Sequence, residues 1–193
     1  MTRWNESHDD VMDALIGDPN GIGYAVVEEV DGIWWATNGI WICRADRLSD
    51  AVEWEEGCWS MVLDGSGPTG QGRTLTRTGG ILTGQGIAKF IALDSEANKK
   101  IRSIHRCLDH RALYHVDANG NAVALLAQIY NPEKRAFVRL DYLKLIAGPD
   151  WNPSVSPTPL SFSQLEKPGT NEAVLVHRNG ELLGMICPVK LGV

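Results

Sequence analysis

The sequence has no apolar run close to the roughly 18 residues that a membrane-spanning helix requires, which excludes a transmembrane helix. Its first residues lack a positive segment followed by an apolar core, so no secretory signal is predicted. The four cysteines, Cys43, Cys58, Cys107 and Cys187, stand far apart. That spacing favours buried or free thiols in a reducing compartment over a disulfide framework. We therefore expect a cytoplasmic protein.

Signatures of catalysis are also missing. The chain contains neither a GxxxxGK phosphate loop nor a GxSxG nucleophile turn. GSGPTG at 65–70 matches GxGxxG literally, but it contains a proline and no helical pattern follows it. One cluster of zinc-type side chains has none of the usual ligand spacings: His105, Cys107, Asp109, His110 and His115. The sequence thus predicts a protein that is not an enzyme, with no cofactor and no metal.

The chain has 193 residues, 44% of them apolar and 22% charged, which is typical of one globular domain. We predict a single domain over residues 1–193, with approximate halves at 1–94 and 95–193. Residues 64–86, with eight glycines and almost no large side chains, are expected to form a glycine-rich loop. This composition predicts a long hairpin tip that a partner can reach.

Hairpins are the strongest local pattern. Strands are predicted at Tyr24–Val30, Ile33–Thr37 and Ile40–Arg44, separated by Asp31-Gly32 and Asn38-Gly39. Asp-Gly and Asn-Gly pairs accept the two positive φ angles of a type I′ turn, which matches the twist of paired strands. Two more such pairs lie later in the chain, at Asn119-Gly120 and Asn179-Gly180. The sequence therefore predicts an α+β fold rich in antiparallel sheet.

Short helices complete the predicted fold. Ser7 precedes apolar residues at helical spacing, and Gly17 ends that segment. A second helix is predicted over Leu140–Ala147, before Gly148. A third helix is an alternative to an extended segment over Ser95–Leu108. A short helix followed by strands thus occurs twice, which suggests two similar halves.

Charge is distributed unevenly along the chain. Residues 1–60 carry thirteen acidic residues and three arginines, a balance of −10, whereas the remainder carries 15 basic and 11 acidic residues, a balance of +4. Such a separation can polarise the surface and steer a charged partner. The alternative is that the charges interleave in space and only maintain solubility.

Basic residues concentrate after the glycine-rich loop. If Ser95–Leu108 is helical, Lys99, Arg102 and Arg106 form a row that can contact phosphates without reading bases. Arg73 and Arg77, within the loop, would extend this row. The alternative is an ordinary solvated face.

Three segments resemble one known family. Asp31–Arg44 (DGIWWATNGIWICR), Phe137–Ile146 (FVRLDYLKLI) and Glu181–Leu191 (ELLGMICPVKL) look like successive segments of the DNA polymerase sliding clamps. Leu160–Phe162 stands where those clamps have a strand before the final hairpin. The resemblance is greatest to small clamp-like proteins of bacteriophages, and it covers about half of the chain.

The resemblance implies a DNA-clamp-like domain made of two similar helix-plus-strands halves. It implies a non-enzymatic replication accessory or scaffold that binds duplex DNA without sequence preference, a partner peptide, or both. Polymerase or other replication proteins would be its partners. Because clamp rings contain six such units, it also implies a homo-oligomer.

The same resemblance, together with the basic stretches, assigns residues to two sites. The expected DNA-binding residues are Arg73, Arg77, Lys99, Lys100, Arg102, Arg106, Arg111, Arg139 and Lys144. The expected edge of the partner-peptide pocket is formed by Cys187, Pro188, Val189 and Leu191.

The chain also departs from the clamp pattern. Cys187 stands where clamps have methionine, Lys190 stands where they have arginine, and the first helix carries acidic residues. An alternative function follows from that acidity. The chain would then be a phage-type interaction protein that inhibits a host defence or replication complex through its acidic N-terminal third.

Overall fold

A computed structural model of the protein describes residues 7–18, 21–50, 52–63, 73–77, 86–96, 113–116, 122–130, 135–148, 160–164 and 173–188. The chain divides between Ala92 and Leu93 into two compact units, called here the N-terminal unit and the C-terminal unit. Short helices and antiparallel strands make up both units, which confirms the predicted α+β class.

The N-terminal unit is built on a five-stranded antiparallel arrangement. Its elements are α1 (His8–Ile16), β1 (Tyr24–Val30), β2 (Ile33–Thr37), β3 (Trp41–Arg44), a 3-10 turn (Ala45–Arg47), β4 (Gly57–Leu63), β5 (Arg73–Arg77) and the start of α2 (Ile87–Glu96). The strand order is β5-β4-β1-β2-β3. Ala25 pairs with Trp59, so the two buried side chains share one face of the sheet.

Helix α1 forms for the local reasons that the sequence predicts. Ser7 caps it, because the Ser7 hydroxyl accepts from the Asp10 amide and the Asp10 carboxylate accepts from the Ser7 amide. Val11, Met12, Leu15 and Ile16 are buried on one face, and the helix contacts β1, β4 and β5. The capping box thus sets where the helix begins, and the apolar face holds it on the sheet.

Two of the predicted turns differ in their geometry. Asp31 and Gly32 have φ angles of 52° and 77°, as a type I′ turn requires. At the next pair only Gly39 has a positive φ, of 87°, so the type I′ prediction for Asn38-Gly39 is wrong. Asn38 is fully buried instead, and its side-chain oxygen accepts from the amides of Ile40 and Trp41.

The glycine-rich segment contains more regular structure than its composition predicts. Strand β5 lies inside the expected loop 64–86 and pairs with β4, from Leu63 opposite Arg73 to Trp59 opposite Arg77. Residues 64–72 and 78–85 lie outside the described residues. Arg77 therefore belongs to a strand, whereas the sequence places it on a loop tip. Helix α2 begins immediately after this segment, where the sequence predicts no helix.

The C-terminal unit contains two groups of antiparallel strands and one complete helix. Its elements are β6 (Leu113–Val116), β7 (Ala122–Tyr130), β8 (Arg135–Arg139), α3 (Leu140–Ala147), β9 (Leu160–Gln164), β10 (Val174–Arg178) and β11 (Glu181–Ile186). The strands pair as β6-β7-β8 and as β9-β10-β11. Asn179 and Gly180 have φ angles of 54° and 84°, which confirms the predicted type I′ turn. Asn119-Gly120 and residues 97–108 of the alternative third helix lie outside the described residues.

Helix α3 has the bounds that the sequence predicts. Tyr142, Leu143 and Ile146 are buried, and the helix contacts β11 as well as β7 and β8. Gly148, with φ of 101°, follows its last turn. The Arg178 guanidinium donates to the Ala147 carbonyl at 2.7 Å, so a cation satisfies an otherwise unpaired carbonyl at the helix C-terminus.

Candidate functional site

The structure describes the side chains of only part of the expected DNA-binding set. Arg77 lies on β5, Arg139 ends β8, and Lys144 lies in the last turn of α3. Arg73 lies at the start of β5, where the structure describes the backbone only. The remaining five lie outside the described residues: Lys99, Lys100, Arg102, Arg106 and Arg111. A continuous basic track over all nine residues therefore stays a prediction.

Arg139 is held in place by its own neighbours. Its Nε lies 3.1 Å from Asp141 Oδ1 and its Nη2 lies 2.5 Å from Asp141 Oδ2, a two-pronged ion pair. The guanidinium carbon lies 4.5 Å from the centre of the Tyr142 ring, within cation–π range. Only 14% of the Arg139 side chain is exposed, against 46% of that of Asp141. The positive charge is thus largely neutralised where it stands.

Arg77 has the same kind of environment in the N-terminal unit. Its guanidinium donates to the Glu55 carboxylate and to the Glu56 carbonyl. The guanidinium carbon lies 5.9 Å from the centre of the Trp59 ring, on the neighbouring strand β4. The register places Arg77 opposite Trp59, which brings them to one face. With 45% of its side chain exposed, Arg77 is open to solvent.

Lys144 is exposed on α3 and, unlike both arginines, forms no ion pair with any residue that the structure describes. The acidic Asp141 lies three residues earlier on the same helix, and it is already bound to Arg139. An ammonium group on a flexible stem can contact a phosphate as a point charge. Of the expected cations, Lys144 is therefore the one whose described environment least restricts a contact with DNA.

Sequence reasoning missed an aromatic cluster where α1 meets β4. The His8 ring lies 4.7 Å from that of Trp59 and 6.5 Å from that of Trp54, centre to centre, both edge-on. His8 Nδ1 lies 3.2 Å from Asp9 Oδ1. The buried His8 Nε2 and Trp59 Nε1 have no hydrogen-bond partner in the part of the chain that the structure describes. Nothing in the spacing of His8 and Trp59 indicates this contact, because β4 begins 49 residues after α1 does.

Some of the N-terminal acidity faces solvent, and some of it is used inside the fold. Asp9, Asp10 and Asp13 are exposed on α1. Glu28, by contrast, accepts from the first two amides of α2, and Asp46 pairs with Arg44 at 2.7 Å. The formal charge of residues 1–60 therefore overstates the field that a partner would meet.

The expected partner-peptide pocket is described at one end only. Cys187 and Pro188 follow β11 directly, and both are half-buried. Burial raises the pKa of the Cys187 thiol above its usual range. Val189 and Leu191 lie outside the described residues. The pocket itself stays a prediction.

The zinc-type cluster is likewise described only in part. His115 lies on β6, whereas His105, Cys107, Asp109 and His110 lie outside the described residues. Within the described ranges, no three His, Cys, Asp or Glu side chains are placed to hold a metal ion. Cys43, Cys58 and Cys187 form no disulfide bond among the described residues.

No helix among the described residues is both long and apolar enough to cross a membrane. The two described arginines of the expected DNA-binding set each lie on an aromatic ring and beside a carboxylate. Comparisons of this chain with protein-family models, with curated proteins and with solved structures found no match.

Proposed function

We propose that this protein is a non-enzymatic, DNA-clamp-like replication accessory of the cytoplasm. It binds duplex DNA without sequence preference and acts as a homo-oligomer. In this proposal the two units are the two similar halves of a clamp-like domain. Duplex DNA and polymerase or other replication proteins are its partners.

The observation that carries the proposal is an arrangement that occurs in both units. In the N-terminal unit a nine-residue helix, α1, precedes the antiparallel strands β1 to β3 and contacts β1. In the C-terminal unit an eight-residue helix, α3, precedes the antiparallel strands β9 to β11 and contacts β11. The resemblance to sliding clamps rests on segments that overlap β2, β3, β8, α3, β9 and β11.

In this proposal the described cations contact the phosphates of the DNA backbone. Arg77 and Lys144 project from a strand and from a short helix, and Arg139 lies at a strand end. Contacts of this kind hold the DNA backbone and carry no sequence information. Each one adds to the salt dependence of binding.

The oligomeric state and the DNA affinity test the proposal together. Light scattering on the purified chain should show a defined oligomer. A titration with a fluorescent duplex at about 50 and 200 mM salt should show tighter binding at the lower concentration and no preference between sequences. A monomer that is indifferent to duplex DNA at both salt concentrations would contradict the proposal.

A short partner peptide is the second ligand in this proposal. The half-buried Cys187 and Pro188, immediately after β11, would line one side of the groove that receives it. The thiol of Cys187 is a small apolar surface there, because burial raises its pKa and keeps it protonated. Bromoacetamide footprinting of Cys187 with and without the polymerase should show protection in the complex.

The exposed acidic face of α1 favours a second candidate function. Asp9, Asp10 and Asp13 face solvent, and the last turn of α1 has no basic residue to offset them. Such a face can dock on a basic surface of a host defence or replication complex. A pull-down from host lysate separates the candidates: polymerase or clamp-loader subunits support the first, and a nuclease or defence complex supports the second.

A further inference from the structure

The described arginines of the expected DNA-binding set already bind acceptors that resemble a phosphate. A carboxylate and a phosphate both present two oxygens to the planar fork of a guanidinium. Arg77 meets Glu55, and Arg139 meets Asp141 through two nitrogens. A DNA phosphate could therefore replace the carboxylate at either guanidinium.

The N-terminal pair, Arg77 and Glu55, is exposed enough for a phosphate to replace the carboxylate. Arg77 is 45% exposed and Glu55 is 55% exposed, so solvent and a phosphate can reach both side chains. An ion pair this exposed contributes little to folding stability. The Trp59 ring, 5.9 Å from the guanidinium carbon, would keep the guanidinium oriented after Glu55 is released.

The C-terminal pair, Arg139 and Asp141, is less exposed to solvent than Arg77 and Glu55. Arg139 is only 14% exposed, and Tyr142 lies against its guanidinium at 4.5 Å. Asp141 also accepts from the Tyr142 amide at 3.0 Å, so it has a structural role that Glu55 lacks among the described residues. Release of Arg139 from Asp141 is thus expected to be harder than release of Arg77 from Glu55.

We infer that Glu55 and Asp141 are affinity-limiting residues that compete with DNA phosphates for Arg77 and Arg139. This inference rests on the proposed DNA binding and adds a regulation to it. The two carboxylates hold the affinity of each cation for the backbone below its intrinsic value. The result is a contact with the DNA backbone that forms and breaks easily.

Glu55→Gln tests the first pair. The amide keeps the shape of the side chain and removes the negative charge, so Arg77 becomes available to a phosphate. We expect the variant to bind a fluorescent duplex about threefold or more tightly at 50 mM salt. The slope of log affinity against log salt should steepen by about 0.9, the value for one added phosphate contact.

A matched control for Glu55→Gln lies two residues before Glu55 in the sequence. Glu53 is exposed and forms no ion pair with any residue that the structure describes. Glu53→Gln removes the same charge from the same segment, so it reports the general electrostatic effect alone. We expect its affinity to stay within about twofold of the original protein. Equal gains in Glu55→Gln and Glu53→Gln would overturn the inference for Arg77.

A double-mutant cycle tests the second pair. Asp141→Asn keeps the oxygen that accepts from the Tyr142 amide and should tighten DNA binding by releasing Arg139. In an Arg139→Gln background the same change should give no gain, because the released cation is missing. A gain of equal size in both backgrounds would overturn the inference for Arg139. Circular dichroism melts of all four proteins identify any variant that loses its fold.

The outcomes separate this inference from the proposed function. If the original protein binds DNA and the variants behave like Glu53→Gln, the inference fails and the proposed function stands. If only the variants bind, the carboxylates block binding and the inference is supported. If no protein in the series binds DNA at 50 mM salt, both are overturned.

Discussion

At the scale of one residue, Asn38 belongs to an Asn-Gly pair that predicts a tight turn, but in the structure its side chain has a different role. The side chain is fully buried. Its amide nitrogen donates to Asp18 Oδ2 at 3.0 Å, and its oxygen accepts from the Ile40 amide at 3.1 Å. The Asn38 carbonyl also accepts from the Ile22 amide at 3.2 Å. The side chain and the backbone carbonyl of Asn38 thus join the segment before β1 to the connection between β2 and β3.

Asn38→Ala should lower the free energy of unfolding by roughly 2–3 kcal/mol. The substitution leaves two backbone amides without their acceptor in a buried place, and each unsatisfied group costs about 1–3 kcal/mol before the loop relaxes. Urea unfolding followed by tryptophan fluorescence measures the loss. Asp18→Ala removes the acceptor of the Asn38 amide nitrogen but leaves the Ile40 and Trp41 amides paired, so it should cost less, about 1 kcal/mol. A loss below about 0.5 kcal/mol in Asn38→Ala would contradict the proposed role.

The buried thiol of Cys43 makes the stability of the folded protein depend on pH. Burial is the main cause, and it raises the pKa of the Cys43 thiol well above its usual range. The nearby Asp46 raises this pKa further, and Arg47 lowers it. In the unfolded chain the thiol ionises above about pH 8.5, whereas in the folded protein it stays protonated. The unfolded state therefore binds fewer protons there, and stability must fall as pH rises.

We expect the unfolding free energy of the original protein to fall more steeply between pH 8.5 and 10 than that of Cys43→Ala. The difference in slope should approach 1.4 kcal/mol per pH unit, which is about the largest contribution of one group. Urea titrations at half-unit intervals of pH measure both slopes. The substitution costs some packing at every pH, so the comparison uses slopes. Parallel slopes would show that Cys43 does not ionise on unfolding.

At the scale of an element, the start of helix α2 depends on a residue that is distant in the sequence. The Glu28 side chain on β1 accepts from the amides of Ile87 and Ala88, the latter at 3.1 Å. It therefore satisfies two of the unpaired amides of the first turn and places a negative charge at the positive end of the helix dipole. Gly86, which precedes the helix, has no side chain to do this.

Glu28→Ala should destabilise the N-terminal unit by about 1–2 kcal/mol, since a lost N-cap costs that much. Glu28→Gln keeps an acceptor without the charge and should cost about half as much. Hydrogen exchange of the Ile87 and Ala88 amides would locate the effect at α2. Glu29 follows in the strand, is exposed and points to the opposite face, so Glu29→Ala is the control. Equal losses in Glu28→Ala and Glu29→Ala would contradict the capping role.

At the scale of the whole molecule, the formal charge is a poor guide to what a partner meets. The total is −6, made of −10 in residues 1–60 and +4 in the remainder. Glu28 is used as a cap, Glu55 and Asp46 pair with arginines, and Asp141 neutralises Arg139. A charged partner would therefore meet mainly the charges that face solvent without such partners.

Lys144→Gln should weaken duplex binding and reduce the salt slope by about 0.9, the effect of one lost phosphate contact. Lys144 is exposed on α3 and belongs to the expected DNA-binding set. Lys89 is also exposed, on α2, and lies outside that set. Lys89→Gln therefore removes the same charge as a control and should leave the slope unchanged. Equal losses in both variants would indicate a general charge effect, without a defined interface.

The clamp resemblance and most of the assigned residues stay predictions. Of the nine expected DNA-binding residues, the structure describes the side chains of Arg77, Arg139 and Lys144. Sequence patterns could nominate Arg139 as a cation but could not show that Asp141 neutralises it, because such a pair also requires the β8–α3 junction to orient both side chains. The aromatic contacts of Arg77 depend likewise on the pairing of β4 with β5.

The sequence alone determined the α+β class, the bounds of α1 and α3 within a residue or two, and the turns at Asp31-Gly32 and Asn179-Gly180. These features follow from capping residues, apolar periodicity and positive φ angles, which act over a few neighbouring residues. Only the tertiary structure decided the start of α2, the burial of Asn38 and the ion pair of Arg77. Each depends on a partner brought close by strand pairing and chain folding, and the start of α2 depends on Glu28, 59 residues earlier in the chain.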